Sequence, residues 1–374
     1  MGFGTRRVLA AGLALTASAC ASSTVRPPAP VAIDTLTYSN AISQARQEQL
    51  LLNIVRLRYD DPVTFVDVER MTTQDRTSYR GGLSSAIPLD GNPLNEVLSG
   101  NIGGDTSSQP TVVYNALRGK DFAQQLLQPL PPASIFLLSQ SGWSVERLLL
   151  CCVARIGNVD NARVSTGPSS EVLPNNVRFR QLASLMRTLQ DSDRLLAQVI
   201  DAEEAGGDPR VILKWDRGVR EGQALAEFLT KNWAADVVPM SGNRYMAEIT
   251  TRGNMLGDFA VRGRSLLGVM SALSKTVAVP VEHESLVGTS ARADLSSHCT
   301  APPPWDEVTG GYFAVMSSKT KPDTAAVAVP YRGYWFYVDD RCHAAKSTLT
   351  LVDHLYALQA GISNGATTLL LLGG

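Results

Sequence analysis

A long stretch of alternating residues in the first third of the chain constrains its fold more than any other feature. Glycine, serine and threonine are frequent in this stretch, and apolar or small residues alternate with polar ones at a period of two, which is typical of β-strands. The Asp90-Gly91 dipeptide lies between the two halves and favours a tight hairpin turn. We therefore predict a long amphipathic β-hairpin with arms at about residues 63–89 and 94–114.

Each predicted arm has one face of mostly apolar or small residues and one polar face. In the first arm the apolar set is Met71, Thr73, Asp75, Thr77, Tyr79, Gly81, Leu83, Ser85 and Ile87. In the second arm it is Leu94, Leu98, Gly100, Ile102, Gly104 and Thr106. The charges of Asp75 and Glu96 fall on these faces and argue against their burial in lipid.

The length of the arms leaves three arrangements open. Each arm is roughly twice the ~9–11 residues with which a tilted strand crosses a bilayer. A single hairpin has unpaired edges, so insertion would require several subunits that each contribute a hairpin to one closed barrel. The alternatives are a hairpin packed on its own domain and a hairpin that adds strands to the sheet edge of a partner.

The N-terminus has the regions of a secretory signal. Arg6 and Arg7 precede an apolar run at residues 8–15, which is shorter than the ~20 residues that span a bilayer. Small residues then lead to Ala17-Ser18-Ala19-Cys20, which resembles the lipobox of bacterial lipoproteins, although Ala17 stands where that motif usually has Leu. The resemblance implies a signal peptide at 1–19 and a lipid on Cys20. An ordinary cleaved signal with a chance cysteine is the alternative.

The residues around this cysteine bear on its destination and export route. Ala21 follows Cys20 where many inner-membrane lipoproteins have Asp, so the resemblance implies the outer membrane and a lipid-anchored periplasmic position. Residues 5–9 also resemble a twin-arginine export signal, which leaves both export routes open. The proline- and serine-rich segment at 20–38 predicts a flexible tether.

Charge and length set broad limits on the remaining chain. Without residues 1–19 the chain loses two of its 34 basic residues and none of its 35 acidic ones, which leaves 32 against 35 and a net charge of −3. This near-balance provides no field that attracts nucleic acid, so we expect no nucleic-acid partner. The length suits one large or two modest domains.

Helical and strand patterns segregate along the chain and indicate an α+β fold. A helix is predicted at 39–59, with a water-facing stripe of Arg46, Gln49, Asn53 and Arg56. An all-helical middle part follows the hairpin, and a C-terminal unit at about 311–374 combines an antiparallel sheet with a helix. The predicted helices are 121–127, 132–140, 144–156, 177–189, 219–233, 261–275 and one running to about 358. The predicted strands are 211–215, 246–251, 312–317, 325–331, 334–338 and 367–372.

Four cysteines remain besides Cys20. Cys151 and Cys152 lie in an apolar helical segment and are interpreted as small core residues. Cys299 and Cys342 lie in polar, irregular surroundings, and we predict a disulfide between them, with two free thiols as the alternative. Their neighbours His298 and His343 suggest a zinc tetrad, which we disfavour because adjacent residues rarely both reach one metal, so no metal is predicted.

No segment carries a specific catalytic pattern. A nucleophile elbow is missing from the sequence, and Ser318-Lys319-Thr320-Lys321 lacks the partner motifs that penicillin-binding chemistry requires. His354 stands beside Asp353, but on a predicted helix where a packed or surface histidine is commoner. The aromatic strand at 331–337 suggests carbohydrate binding, yet both of its faces are apolar, which favours a central strand covered on both sides. We predict no catalytic residue and no cofactor, with a cell-wall or glycan hydrolase as the alternative.

Three short segments together resemble a group of predicted proteobacterial outer-membrane lipoproteins. They are Asn53-Ile54-Val55-Arg56-Leu57-Arg58-Tyr59, Gln140-Ser141-Gly142-Trp143 and Tyr331-Arg332-Gly333-Tyr334-Trp335-Phe336-Tyr337. The resemblance covers most of residues 39–374, implies membrane attachment through the lipid on Cys20 and adds no catalytic residue. The expected protein partners are another envelope protein or further copies of this chain.

Overall fold

The computed structural model describes residues 32–86, 97–116, 120–162, 175–200, 210–233, 236–249, 260–287, 299–301 and 305–362. The chain divides into two compact units, Met1–Ala45 and Arg46–Gly374. In the first unit the described residues are helical. Cys20, the predicted signal peptide, the hairpin tip and the strand predicted at 367–372 lie outside the described residues.

Helices and antiparallel sheets are both present, which confirms the α+β class. The helices are α1 (Ala32–Arg58), α2 (Lys120–Leu127), α3 (Pro132–Gln140), α4 (Val145–Cys152), α5 (Val177–Asp191), α6 (Arg220–Trp233), α7 (Leu266–Ser274), a 3₁₀ helix (Val281–Leu286), α8 (Trp305–Thr309) and α9 (His343–Ile362). The strands are β1 (Val66–Ala86), β2 (Val97–Ala116), β3 (Val153–Ile156), β4 (Val159–Asp160), β5 (Leu195–Ile200), β6 (Arg210–Asp216), β7 (Val238–Met240), β8 (Arg244–Ile249), β9 (Val261–Gly263), β10 (Met316–Ser318), β11 (Ala325–Tyr331) and β12 (Tyr334–Asp339). None of the helices described combines the length and apolar character that a membrane crossing requires.

Four sheets organise these strands. The hairpin β1-β2 is a two-stranded sheet, and the other sheets have the strand orders β4-β3-β9, β5-β6-β8-β7 and β10-β12-β11. All of the strand pairs are antiparallel. Outside the hairpin, most of the buried residues join in one large hydrophobic core, and Ala162, Trp305 and Val308 form a second, small cluster.

The first helix begins earlier than predicted. It starts at Ala32, inside the segment predicted as a tether at 20–38, because no proline follows Pro30 to interrupt it. At its other end Asp60 adopts a left-handed conformation with φ of 56°, and the amide of Asp61 donates to the carbonyl of Arg56 at 2.9 Å. This closing turn ends the helix where the sequence predicted.

Two predicted helices are in part strands. The segment predicted as helix 144–156 becomes strand β3 at Val153, and the one predicted at 261–275 begins with strand β9. The two strands pair with each other, so a partner more than a hundred residues away overrides the local helical pattern. Gly157 (φ of 52°) accordingly lies in the turn from β3 to β4 and not at a helix end. The middle part also contains the sheet β5-β6-β8-β7 and is therefore not all helical.

A buried arginine joins the central elements. Arg264 is 7% exposed and follows β9. Its guanidinium donates to the backbone carbonyls of Leu150, Cys151 and Ala162 at 2.8–3.0 Å, and burial lowers its pKa. The hydrogen bonds of Arg264 with α4 and the segment after β4 offset the cost of burying its charge.

A disulfide ties the segment at 299–301 to the start of α9. It joins Cys299 and Cys342, whose Cα atoms are 5.4 Å apart. Beside it, the buried carboxylate of Asp339 accepts hydrogen bonds from Arg341 and from the hydroxyl of Thr324 at 2.8–3.1 Å. The hydrogen bonds from Arg341 in particular hold the pKa of Asp339 well below its usual range. Cys151 and Cys152 are buried free thiols, in line with a core role.

Because the folded-state pKa of Asp339 is depressed, its contribution to stability is present above the unfolded pKa of about 3.9 and is lost as the pH falls further. Asp339→Asn is expected to lower the free energy of unfolding by about 2 kcal/mol at pH 7. The difference from wild type should shrink below about pH 4. Urea unfolding across pH 3–8 measures this, with the exposed neighbour variant Asp340→Asn as control. A loss that is equal at every pH would contradict the assignment.

Candidate assembly site

The two arms of the hairpin pair so that their apolar sets lie on one side. The register places Met71 opposite Val112, Gly81 opposite Ile102, and Leu83 opposite Gly100. Directly opposite residues of antiparallel strands share a face of the sheet. The two apolar sets therefore lie opposite each other over residues 77–85 of β1 and 98–106 of β2. The antiparallel pairing of two long arms, predicted from the sequence, is confirmed.

The hairpin is long and has only its own partner strand within the described residues. Its strands contain 21 and 20 residues, which corresponds to a length of about 68 Å at ~3.4 Å per residue. The sheet contains β1 and β2 alone, so in the part of the chain that the structure describes both outer edges lack a neighbouring strand. Such edges are templates for pairing with another chain.

Two amide side chains of α1 hold the chain that leads into the hairpin. Asn53 accepts from the amide of Thr64 at 3.0 Å and donates to its carbonyl at 2.8 Å. Gln49, one helical turn earlier, makes the same pair of hydrogen bonds with Val66 at 3.0 and 2.8 Å. The two side chains thus act as a strand partner for the root of β1. Two residues of the stripe predicted to face water, Gln49 and Asn53, instead bind backbone, and Asn53 is fully buried.

An aromatic side chain fixes the same root in the core. Phe65 is 2% exposed and lies between the two residues that α1 binds. Its ring stacks on that of Tyr356 in α9 at 5.4 Å and meets the ring of Phe122 in α2 edge-on at 5.5 Å. The chain at the base of the hairpin is therefore joined to three helices by specific contacts.

An aromatic and charged cluster lies at the end of α1 next to this root. Asp61 accepts hydrogen bonds from the hydroxyl of Tyr331 and, at 2.7 Å, from Arg332, and together they lower the pKa of Asp61. Tyr59, whose pKa burial raises, is hydrogen-bonded to Nδ1 of His283 at 2.8 Å and lies under the Arg332 guanidinium. The turn between β11 and β12 thus contacts the loop that enters the hairpin. Two of the three segments that resemble the predicted lipoproteins, residues 53–59 and 331–337, are therefore in contact.

The aromatic strand β12 is central in its sheet, as predicted. Phe336 and Val338 are buried on one face, whereas Trp335 and Tyr337 on the other face are only partly buried. The covering predicted for both faces is therefore more complete on the face of Phe336 and Val338 than on the other. Lys321 lies 5.4 Å above the ring of Trp335 on this second face.

The structure places His354 and the Ser318–Lys321 motif in packing and ion-pair contacts. His354 is exposed and contacts the ring of Trp143, while its neighbour Asp353 pairs with Arg46 at 3.7 Å. Lys319 of the Ser318–Lys321 motif lies 3.9 Å from Glu282. In the described ranges, no three His, Cys, Asp or Glu residues are grouped as a metal site requires.

A cleft of about 900 Å³ lies beside α5 and α6. It is lined by Arg178, Arg180, Lys231, Glu146 and Glu227, among others, and by neither His283 nor His354. A pocket that held His283 or His354 against a carboxylate would favour the hydrolase alternative. This cleft contains neither histidine.

Comparison with known proteins yields no relative. No family model, curated protein or solved structure matches the chain. The resemblance to predicted lipoproteins accordingly stays a prediction.

Proposed function

We propose that this protein is a periplasmic lipoprotein of the outer membrane, anchored through Cys20, with a structural or partner-binding role and no catalysis of its own. The observation that carries the partner-binding role is the hairpin. It extends about 20 residues from a root held by Gln49, Asn53 and Phe65, and it presents strand edges with no neighbour among the described residues. A partner that adds a strand to these edges satisfies their backbone groups.

A second candidate function is supported by the register of the hairpin. Because the apolar sets of β1 and β2 share one face, several copies side by side would form a closed sheet with one apolar and one polar surface. Closure removes the unpaired edges, which no single hairpin can do in lipid. In this candidate function the partner is a further copy of the chain and the assembly is a pore or an export component.

The anchor and the assembly are tested together in cells that are fed radioactive palmitate. The wild-type protein is expected to be labelled and, after detergent extraction, to elute in a complex larger than a single chain. Cys20→Ala removes the only thiol at the proposed attachment position and should abolish the label, whereas the control Ser22→Ala keeps it. Equal labelling of Cys20→Ala and wild type would contradict the anchor, and a monomeric extract would contradict the assembly role.

A further inference from the structure

The cleft beside α5 and α6 is large enough to receive part of another molecule. Its volume of about 900 Å³ lies at the upper end of the ~300–1,000 Å³ that is usual for ligand clefts. Gln181 and Ser184 of α5 line it and are exposed, so the cleft opens to solvent along this helix. Its described lining residues lie outside β1 and β2, and it is therefore a second surface besides the hairpin.

Apolar side chains form the base of the cleft. Leu150 of α4 is 7% exposed, and Leu185 of α5 and Phe228 of α6 are partly buried. Because these side chains come from three helices, the cleft is a groove between packed helices. An amphipathic helix fits such a groove with apolar residues at i, i+3, i+4 and i+7, and its polar face then closes the open side.

The topology brings cations together at one end of the cleft. Short turns join α5 to β5 and β6 to α6, and the Trp215 indole of β6 donates to the carbonyl of Gly222 in α6 at 2.9 Å. Because β5 and β6 are antiparallel, α5 and α6 run in opposite directions along the sheet. Arg178 and Arg180 in the first turn of α5 therefore lie at the same end as Lys231 in the last turn of α6.

The carboxylates near this end do not balance its positive charge. Arg180 pairs with Glu307 at 2.6 Å. In the described part of the chain, neither Arg178 nor Lys231 has an ion-pair partner within 4.0 Å. Glu227 lies one helical turn before Lys231 on α6 and is likewise unpaired among these residues. Three cations thus stand against two carboxylates, and two of the cations are available to a ligand.

We propose that this cleft binds an acidic amphipathic helix of a partner protein. The apolar face of the partner helix packs on the base of the cleft, and its carboxylates bind Arg178 and Lys231 at the end of α5 and α6. A guanidinium donates to both oxygens of a carboxylate as a fork, which favours an acidic partner over a basic one. Glu146, a further carboxylate of the lining, already accepts a hydrogen bond from the hydroxyl of Tyr312 at 2.7 Å.

Fluorescence anisotropy of a labelled model peptide with the full chain tests the site. The probe is an amphipathic peptide of about four helical turns, with Leu at i, i+3, i+4 and i+7 and Glu at its polar positions. The comparison peptide has Lys in place of every Glu. The Glu peptide is expected to bind in a saturable way, whereas the Lys peptide should not bind.

A pair of double variants tests the charges. Arg178→Gln together with Lys231→Gln removes both unpaired cations and should weaken binding of the Glu peptide by about tenfold. The control Arg187→Gln together with Arg220→Gln removes two charges from the same two helices but outside the lining. It should change the affinity by less than about twofold, because distant exposed charges contribute little.

A pair of single variants tests the space. Ser184→Trp fills the cleft from its exposed rim and should weaken binding by about tenfold, whereas Thr188→Trp, one helical turn further and outside the lining, should not. Circular dichroism checks that each variant is folded. The proposal would be overturned by a wild type that does not bind the Glu peptide saturably, by equal binding of the Lys peptide, or by equal losses in a variant and its control.

Discussion

Replacing residues 72–108 with a short Gly-Ser turn is expected to abolish the complex while the rest of the chain stays folded. Most of β1 and β2 would be removed, but the register keeps Met71 opposite Val112, and the root contacts of Phe65 remain intact. In the described part of the deleted segment the strands β1 and β2 pair only with each other, so we expect the core to fold without them. Light scattering reports the mass of the assembly, and circular dichroism together with urea unfolding reports the fold.

Two neighbouring residues in the intact hairpin provide a matched control. Ile102 pairs with Gly81 on the apolar face, and Asn101 pairs with Gly82 on the opposite face. If the hairpins form a ring in lipid, Ile102→Arg should prevent membrane insertion, whereas Asn101→Arg should be tolerated. A shortened protein that assembles to the same size as the full-length chain would show that the hairpin is not the assembly element.

Phe65→Ala is expected to cost about 3–5 kcal/mol of unfolding free energy, the range for a buried phenylalanine cut to alanine. Phe65 is 2% exposed, stacks on Tyr356 and meets Phe122 edge-on, so its removal leaves a cavity between two helices. The substitution should also loosen the hairpin root, so that proteases cut the segment between α1 and β1 faster. Urea unfolding and limited proteolysis measure the two effects.

Val66 provides the control for this prediction. It adjoins Phe65, is 39% exposed, and binds Gln49 only through its backbone. Val66→Ala should therefore change the unfolding free energy by less than about 0.5 kcal/mol, as is usual for exposed positions. A loss below about 1 kcal/mol for Phe65→Ala would mean that the ring contacts do not hold the root.

Local sequence patterns predict much of the candidate site. Strict alternation and the Asp90-Gly91 dipeptide predicted the hairpin, and the observed strands differ from the predicted arms by only a few residues at their described ends. The root was missed because Gln49 and Asn53 have the same helical spacing whether they face water or bind a backbone. Two residues with amide side chains, one helical turn apart and shortly before a predicted strand, are the signal that points to these backbone contacts.

The sequence by itself determined the elements whose information is local: the hairpin arms, most helices, the turn at Arg332-Gly333 and the paired strands on either side of it. Only the tertiary structure decided the register of the arms, which includes an irregularity between Val68 and Arg70. A slip of one residue keeps the alternating pattern of each strand but pairs its apolar residues with the polar face of the other strand. The tertiary structure also decided that Val153–Ile156 is a strand and that the Arg58 guanidinium is buried with no hydrogen-bond partner among the described residues. Both features depend on contacts with segments that are distant in the sequence, and local periodicity does not predict such contacts.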